Sequence, residues 1–327
     1  RLVNEVWSNP VNGCPMYILA QKLKSLKAAF KSWNIHTFGN VKARVDSCMK
    51  EVEAIQQQIS LEGYSDDLHN IEIGAQSNLQ QALQFEESFW KQKSSINWFT
   101  YGDRNTAFFH RMAKIKYASK QMSILRSGDM VIDDPLEIEN HVINYYTNLY
   151  AVSNNCVDNG LIAKVIPKIV TDEDNMMLTK IPTMEEVKTA VFSMNGSGAP
   201  GPDGFGGSFY QSFWNIIATD VYNSVVQFFH SNWIMPGLNS NLVCLVPKFK
   251  EADRIEDYRP IALANFQFKI ITKVLSDRLS RIAPKIISPQ QRGFIQGRHI
   301  TDCIFSASEA INLLGKKTYG VQLSVLG

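Results

Sequence analysis

The chain has 327 residues, 45% of them hydrophobic and 20% charged, with a net charge of +2. That balance fits a folded protein with room for more than one domain rather than a disordered chain. No apolar run is long enough to span a membrane, and no basic-then-apolar leader is visible, so no membrane partner is expected. The five cysteines stand singly without a C-x-x-C, which points to reduced thiols and an intracellular setting, nucleus or cytoplasm unresolved. The six histidines show no ligand spacing, and no structural metal is expected. The chain begins with Arg1 rather than Met and is expected to be a piece of a longer protein.

The charge is unevenly spread. Residues 91–126 carry eight Lys and Arg against one acid, and residues 241–327 carry thirteen against seven. Residues 127–240, between them, hold thirteen acids and four cations. Basic blocks of this kind suit a phosphate-bearing partner, although solvated helix faces produce the same count.

In chain order, residues 1–95 form a helical arm. Leu19, Leu23, Leu26, Phe30 and Trp33 recur at helical spacing. After a break at 34–40 the pattern resumes with Val41, Val45, Cys48, Val52, Ile55 and Ile59. A loop at 63–67 precedes a third helix whose stripe is Leu68, Ile71, Ala75, Leu79, Ala82 and Phe89. Such seams suit antiparallel or coiled-coil packing.

Residues 96–180 read as a basic linker, a small hairpin and a helix. From Trp98 to Lys116, aromatic residues alternate with Arg104, Arg111, Lys114 and Lys116. Rings beside cations can stack bases and hold phosphates, and an amphipathic helix with Phe108, Phe109, Met112 and Ile115 inward would look the same. A hairpin is predicted over 121–132, turning at Ser127-Gly128-Asp129. Asp134-Pro135 starts a helix carrying Ile138, Val142, Tyr145 and Leu149. The polar stretch from Ser153 to Asn175 reads as surface linker.

Thr183-Met184-Glu185-Glu186 is a T-x-x-E capping box leading into Val187, Ala190, Val191 and Met194 at helical spacing. Next comes NGSGAPGPDGF, Asn195 to Phe205, which contains a literal G-x-G-x-x-G. A dinucleotide-binding turn needs a strand before it and a helix starting within it. Here a helix leads in, Pro200 and Pro202 delay the next one, and no Gly-Lys-Ser/Thr follows, so neither nucleotide fingerprint applies. Residues 209–233 are apolar with helical steps at Phe213, Ile217, Val221 and Phe228. LVCLVPK (242–248) and YRPIALA (258–264) read as two strands joined by a charged loop. Asn265 is placed to cap a helix bearing Ile270, Ile271, Val274, Leu275 and Leu279, and a turn-rich SPQQRGFIQGRHI precedes a last helix to Leu314.

NGSGAPGPDGF, then LVPK followed by DYRPIALANFQFKIITKVLSDRL, then QQRGFIQGRHITD stand in an order that resembles the fingers of non-LTR (LINE-type) retrotransposon reverse transcriptases, those of plants in particular. SFWKQKSSINWFTYGDRNTAFFHRMAKIK resembles the segment those polyproteins place between an endonuclease and the polymerase. The fold class implied is α+β, mainly helical: a helical arm followed, over 181–327, by the fingers and the start of the palm of a right-hand polymerase.

The resemblance implies an RNA template, a DNA primer and a deoxynucleoside triphosphate as partners. It assigns nucleotide contact to Lys248, Arg259, Gln291 and Phe294. Nucleic-acid contact falls to Gly198, Gly201, Asp203, Gly204 and Arg298, with Arg104, Arg111, Lys114 and Lys116 from the basic segment. Gly198, Gly201 and Gly204 would let a phosphate–sugar chain approach the backbone, and Asp203 would stabilise the turn. Arg292 and Gln296 depart from the family's usual small residue and proline.

The family's metal-binding aspartates and its Tyr/Phe-Ala-Asp-Asp turn do not occur in these 327 residues. Magnesium is therefore expected only in a full-length polymerase, and no catalytic residue is assigned. This chain alone is expected not to polymerise, the alternatives being a nucleic-acid-binding module or a decayed retroelement remnant.

Overall fold

The computed structural model describes residues 1–94, 106–119, 122–151 and 160–314. It is mainly helical with two small two-stranded sheets, an α+β architecture. The chain divides into two compact units. The first is built from the described residues of Arg1–Ser25, Ser153–Cys244 and Pro260–Gly327, the second from those of Leu26–Val152 and Leu245–Arg259. No described helix is long and apolar enough to cross a membrane.

The core of the first unit lies among α9 (Met184–Ser193), α10 (Gly207–Ser212), α11 (Trp214–Ser231) and α12 (Phe266–Ile286). Each presents apolar side chains at three- and four-residue steps. Val187, Ala190 and Val191 come from α9, Ile217, Val221 and Val225 from α11, and Ile270, Ile271 and Val274 from α12, all buried. Two helices from the start of the chain belong to the same unit: α1 (Leu2–Trp7) and the first part of α2 (Pro15–Trp33). Trp7 Nε1 donates to Asp220 on α11 at 2.7 Å, and Lys22 reaches the same carboxylate oxygen at 2.8 Å.

Arg278 of α12 is 3% exposed, so its charge must be answered from within. Its Nε and one terminal nitrogen donate to the two carboxylate oxygens of Glu186 at 2.7 and 2.9 Å. The other terminal nitrogen donates to the carbonyls of Leu178, at 2.9 Å, and Lys180. The guanidinium also lies over the ring of Phe229, 4.8 Å from its centroid.

That pairing alters the predicted capping box. Thr183 Oγ1 accepts from Glu186 N at 3.2 Å, as expected, but the Glu186 carboxylate is committed to Arg278. A complete box occurs instead at Thr171 and Asp174, opening α8 (Asp172–Thr179). α8 and the short α7 (Leu161–Val165) lie in or run on from the stretch read as surface linker. Three acids in the first turn of α8 hid a short capped helix behind a polar composition.

In the second unit, α3 (Val41–Glu62) and α4 (Asp66–Ser94) form a helical hairpin. The break before it is a turn of π-helix, Asn34–Phe38, closed by Gly39 at φ 68°, after which Asn40 caps α3. Gln56 bonds Glu72, and Arg44 lies over Phe85, which fixes the two helices antiparallel. The seam on α4 uses Leu68, Ala75, Leu79 and Ala82, whereas Ile71, expected inward, is 55% exposed. The predicted hairpin is present as β1 (Leu125–Ser127) and β2 (Met130–Ile132), turning at Gly128 with φ 61°. α6 (Pro135–Ala151) follows, capped by Asp134. Leu125, Ile138 and Ile255 form a small core with Val142, Leu245 and Tyr258 around it.

Arg278→Ala leaves the Glu186 carboxylate and two carbonyls without their donor. We expect a loss of about 2–4 kcal/mol in urea unfolding, the lower part of the range for a broken buried pair because Glu186 is partly exposed. Arg278's hydrogen bond, the largest cause, holds the Glu186 carboxyl below its usual range against opposing desolvation. A depressed acid contributes stability above its unfolded pKa and loses it as pH falls through the folded value. The difference between wild type and variant therefore shrinks with acidification below the ordinary glutamate range, measured by urea unfolding across pH.

Candidate nucleic-acid interface

The Gly/Pro loop is tied down at both ends. Asn195 Oδ1 accepts from Ser197 N at 2.9 Å, and Gln211 Nε2 donates to the carbonyls of Val191 and Met194 that α9 leaves open. Gly204, at φ 87°, donates to Gly201 O at 3.0 Å, and Asp203 Oδ1 accepts from Phe205 N at 3.0 Å. Asp203 thus holds the local turn that its residue type suggests.

The loop rests on the start of α12. Asp203 N donates to Asn265 Oδ1 at 3.0 Å, Asn265 Nδ2 donates to Leu238 O at 3.3 Å, and Lys269 Nζ donates to Ala199 O at 3.3 Å. Asn265 sits at the N-cap position but gives α12 no side-chain cap, contrary to the sequence expectation. Its amide is used by the loop instead. An Asn before an apolar helix reads as a cap, and only the fold shows the competing donor 62 residues away.

Gly201 is buried, and a Cβ there would lie 2.5 Å from the backbone of Ala264 and Asn265. Its lack of a side chain is accounted for by packing against the protein's own chain. Gly198 and Gly204 are exposed.

β3 (Asn241–Pro247) and β4 (Tyr258–Ala264) are hydrogen-bonded neighbours. Lys248 follows β3 directly and Arg259 is the second residue of β4, so both stand at the loop end of the pair, in the second unit. Lys248 N donates to Asp257 O at 2.8 Å and its Nζ to Glu256 O at 2.5 Å. Arg259 is exposed.

Between α12 and α13 (Ile300–Leu314) the turn-rich loop carries Gln291, Phe294 and Arg298, in the first unit with the Gly/Pro loop. Phe294 has φ 64°, a left-handed backbone rare for a bulky residue, and its side chain is fully exposed. Arg298 turns back onto the loop, donating to the carbonyls of Ser288 at 2.6 Å, Gln291 at 2.8 Å and Ile287 at 3.2 Å. Gln291 is exposed beside it.

α5 (Thr106–Ser119) carries the basic segment. Arg111 and Lys114 are exposed and Phe109 is buried, while Ile115, expected on the core face, is 52% exposed. Arg104 lies outside the described residues, as does the Lys116 side chain. Among the described residues no three His, Cys, Asp or Glu side chains gather to hold a metal ion.

Gly201→Ala should push the loop off α12 and cost about 1–3 kcal/mol, the range for overpacking. Gly198→Ala, whose Cβ would meet only Asn195 O at 3.3 Å, should cost under about 1 kcal/mol in the same urea titration.

Comparison with known proteins adds two likenesses. Over 207 residues the chain is 27% identical to a protein of Xenopus laevis described as "Transposon TX1 uncharacterized 149 kDa protein". That similarity covers 62% of this chain and 16% of the relative, so the chain spans a small part of that protein's length. Residues 246–325 match the family model for reverse transcriptase (RNA-dependent DNA polymerase). The stretch containing β4, α12, the turn-rich loop and α13 is therefore similar to a reverse transcriptase region.

Proposed function

We propose that this chain is the fingers portion of the reverse transcriptase of a non-LTR retrotransposon, one that grips an RNA template, a DNA primer and the incoming deoxynucleoside triphosphate. The reading is supported chiefly by one observation: Lys248, Arg259, Gln291, Phe294 and Arg298 all fall inside the matched stretch 246–325.

Their chemistry suits separate tasks. Arg259 is exposed at the loop end of a two-stranded sheet, where a planar guanidinium can take phosphate oxygens two at a time. Lys248 adds a point charge at the same end, its backbone N–H pinned to Asp257. Phe294 offers a solvent-facing ring for stacking on a base, worth about 1–3 kcal/mol. Arg298 acts as a positioning residue, since its bonds to Ile287, Ser288 and Gln291 hold the loop that bears that ring. By the resemblance magnesium would be held by aspartates that are not among these residues, and the grip proposed here rests on the phosphate contacts of Lys248 and Arg259.

Fluorescence anisotropy with a labelled RNA/DNA primer–template tests this. Binding should weaken steeply with salt and be unchanged by EDTA, and Lys248→Ala with Arg259→Ala should flatten the salt slope by about two contacts. Phe294→Gly separates function from stability. It relieves a left-handed backbone costing roughly 1–2 kcal/mol, so unfolding should need no less urea, while binding weakens by about tenfold. Tight binding by Phe294→Gly and by the double variant would refute the assignment. Primer extension by this chain alone should not rise above a heat-killed control.

A further inference from the structure

The loop joining β3 to β4 has Lys248 at one root and Arg259 just past the other. Of residues 249–257 only Ile255 is buried, and it packs in the small core with Leu125 of β1 and Ile138 of α6. The loop is therefore seated on a part of the chain far upstream of it, inside the same unit.

Polar contacts run the same way. One edge of β1 pairs with β2, where Arg126 faces Val131. The other edge takes the loop. Arg126 forms a parallel bridge with Arg254, and its backbone N–H donates to Asp253 O at 2.6 Å. Arg126 Nε lies 2.9 Å from Asp253 Oδ2. One residue of β1 thus holds Asp253 by backbone and side chain together. Hydrogen bonds lead on from there to the cations. Arg254 O accepts from Asp257 N at 3.0 Å, and Asp257 O accepts from Lys248 N at 2.8 Å. Arg259 follows Asp257 by two residues. Tyr258 Oη donates to Ala252 O at 3.0 Å, which closes the loop on the start of β4.

The Arg126 and Asp253 side chains are 56% and 42% exposed, so their ion pair adds little to stability. An acid near a phosphate site also opposes a polyanion by charge. What the pair can supply is placement, since groups that grip a ligand need supporting residues to fix their geometry. We propose that Arg126 and Asp253 are positioning residues: β1 clamps the β3–β4 loop so that Lys248 and Arg259 meet phosphates at a fixed spacing, an inference that rests on the assignment of those two cations. Half of the clamp stands upstream of the matched stretch 246–325.

Fluorescence anisotropy of the full chain with a labelled RNA/DNA primer–template tests the clamp by the sign of one effect. Asp253→Ala removes a negative charge, and charge alone tightens binding to a polyanion. The clamp requires weaker binding instead, by about threefold, with the salt slope flattened by roughly one contact. Asp253→Asn has the same charge as Asp253→Ala but keeps an acceptor for Arg126, and should bind more tightly than it. Arg126→Ala should weaken binding in the wild type and have no further effect when Lys248→Ala and Arg259→Ala are present, because it acts only through them. Urea midpoints and circular dichroism should match wild type for all three variants, as the pair is exposed. Hydrogen exchange at the Lys248 and Asp257 amides should quicken in Arg126→Ala and Asp253→Ala.

Tighter binding by Asp253→Ala overturns the clamp. So does an Arg126→Ala loss that persists without Lys248 and Arg259, which would make Arg126 a phosphate contact in its own right. If Lys248→Ala with Arg259→Ala binds weakly while Arg126→Ala and Asp253→Ala bind like wild type, the clamp alone fails. If Lys248→Ala with Arg259→Ala binds like wild type, the assignment of the two cations fails and the clamp falls with it.

Discussion

A single buried cation organises the first unit. Arg278 cannot be left unpaired at 3% exposure, and four of its five donors are met by a bidentate carboxylate and two carbonyls. The requirement fixes α12 against α9, sets the end of α8 against both, and draws in the ring of Phe229 from α11. Apolar packing alone tolerates many rotations of a helix about its axis. A planar fork with all of its partners specified tolerates very few. Such a pair adds less net stability than its contacts suggest, since taking both charges out of water is costly. Its contribution here is orientation, and α12's orientation decides where the Gly/Pro loop is seated.

The same logic recurs at smaller scale at Asn265. A side chain suited to capping α12 instead accepts from Asp203 and donates to Leu238, so the helix start holds the loop rather than satisfying itself. Gly201 completes the seat, because no side chain fits between the loop and the Ala264–Asn265 backbone. Part of the glycine content that looks made for a ligand is thus explained by close packing of chain on chain. Gly198 and Gly204 remain outward.

Local signals were legible where local physics decides. The turn at Gly128, the cap at Asp134, the capping interaction at Thr183 and the apolar steps of α9, α11 and α12 follow from spacing and residue type. What escaped was set by distant partners. Glu186 abandons its box for a residue 92 positions on, and Asn265 is claimed across 62. α8 escaped for a different reason: its three first-turn acids serve the helix dipole, yet read as loop composition. Ile71 shows the limit of period counting, since a step of three or four places a residue near the seam without saying which neighbour covers it. For the candidate site, Lys248, Arg259, Gln291 and Phe294 could be picked out by motif order. Arg298 could not be read as a loop-positioning residue, because its acceptors are backbone carbonyls that have no sequence signature.

The seat of Arg278 also reaches beyond the stretch that matches the reverse transcriptase family model. The stretch similar to reverse transcriptases starts at residue 246, whereas the carboxylate that neutralises Arg278 stands at 186 and the apolar partners of α12 come from 187 to 225. Farther back still, Trp7 and Lys22 share the carboxylate of Asp220 on α11. A segment cut at the borders of that family match, 246–325, would carry α12 with its inner face bared and an unanswered cation in the middle of it. The stretch that matches a family model and the length that can stand alone as a solid are different, and a chain that shed its first half would lose the second half with it.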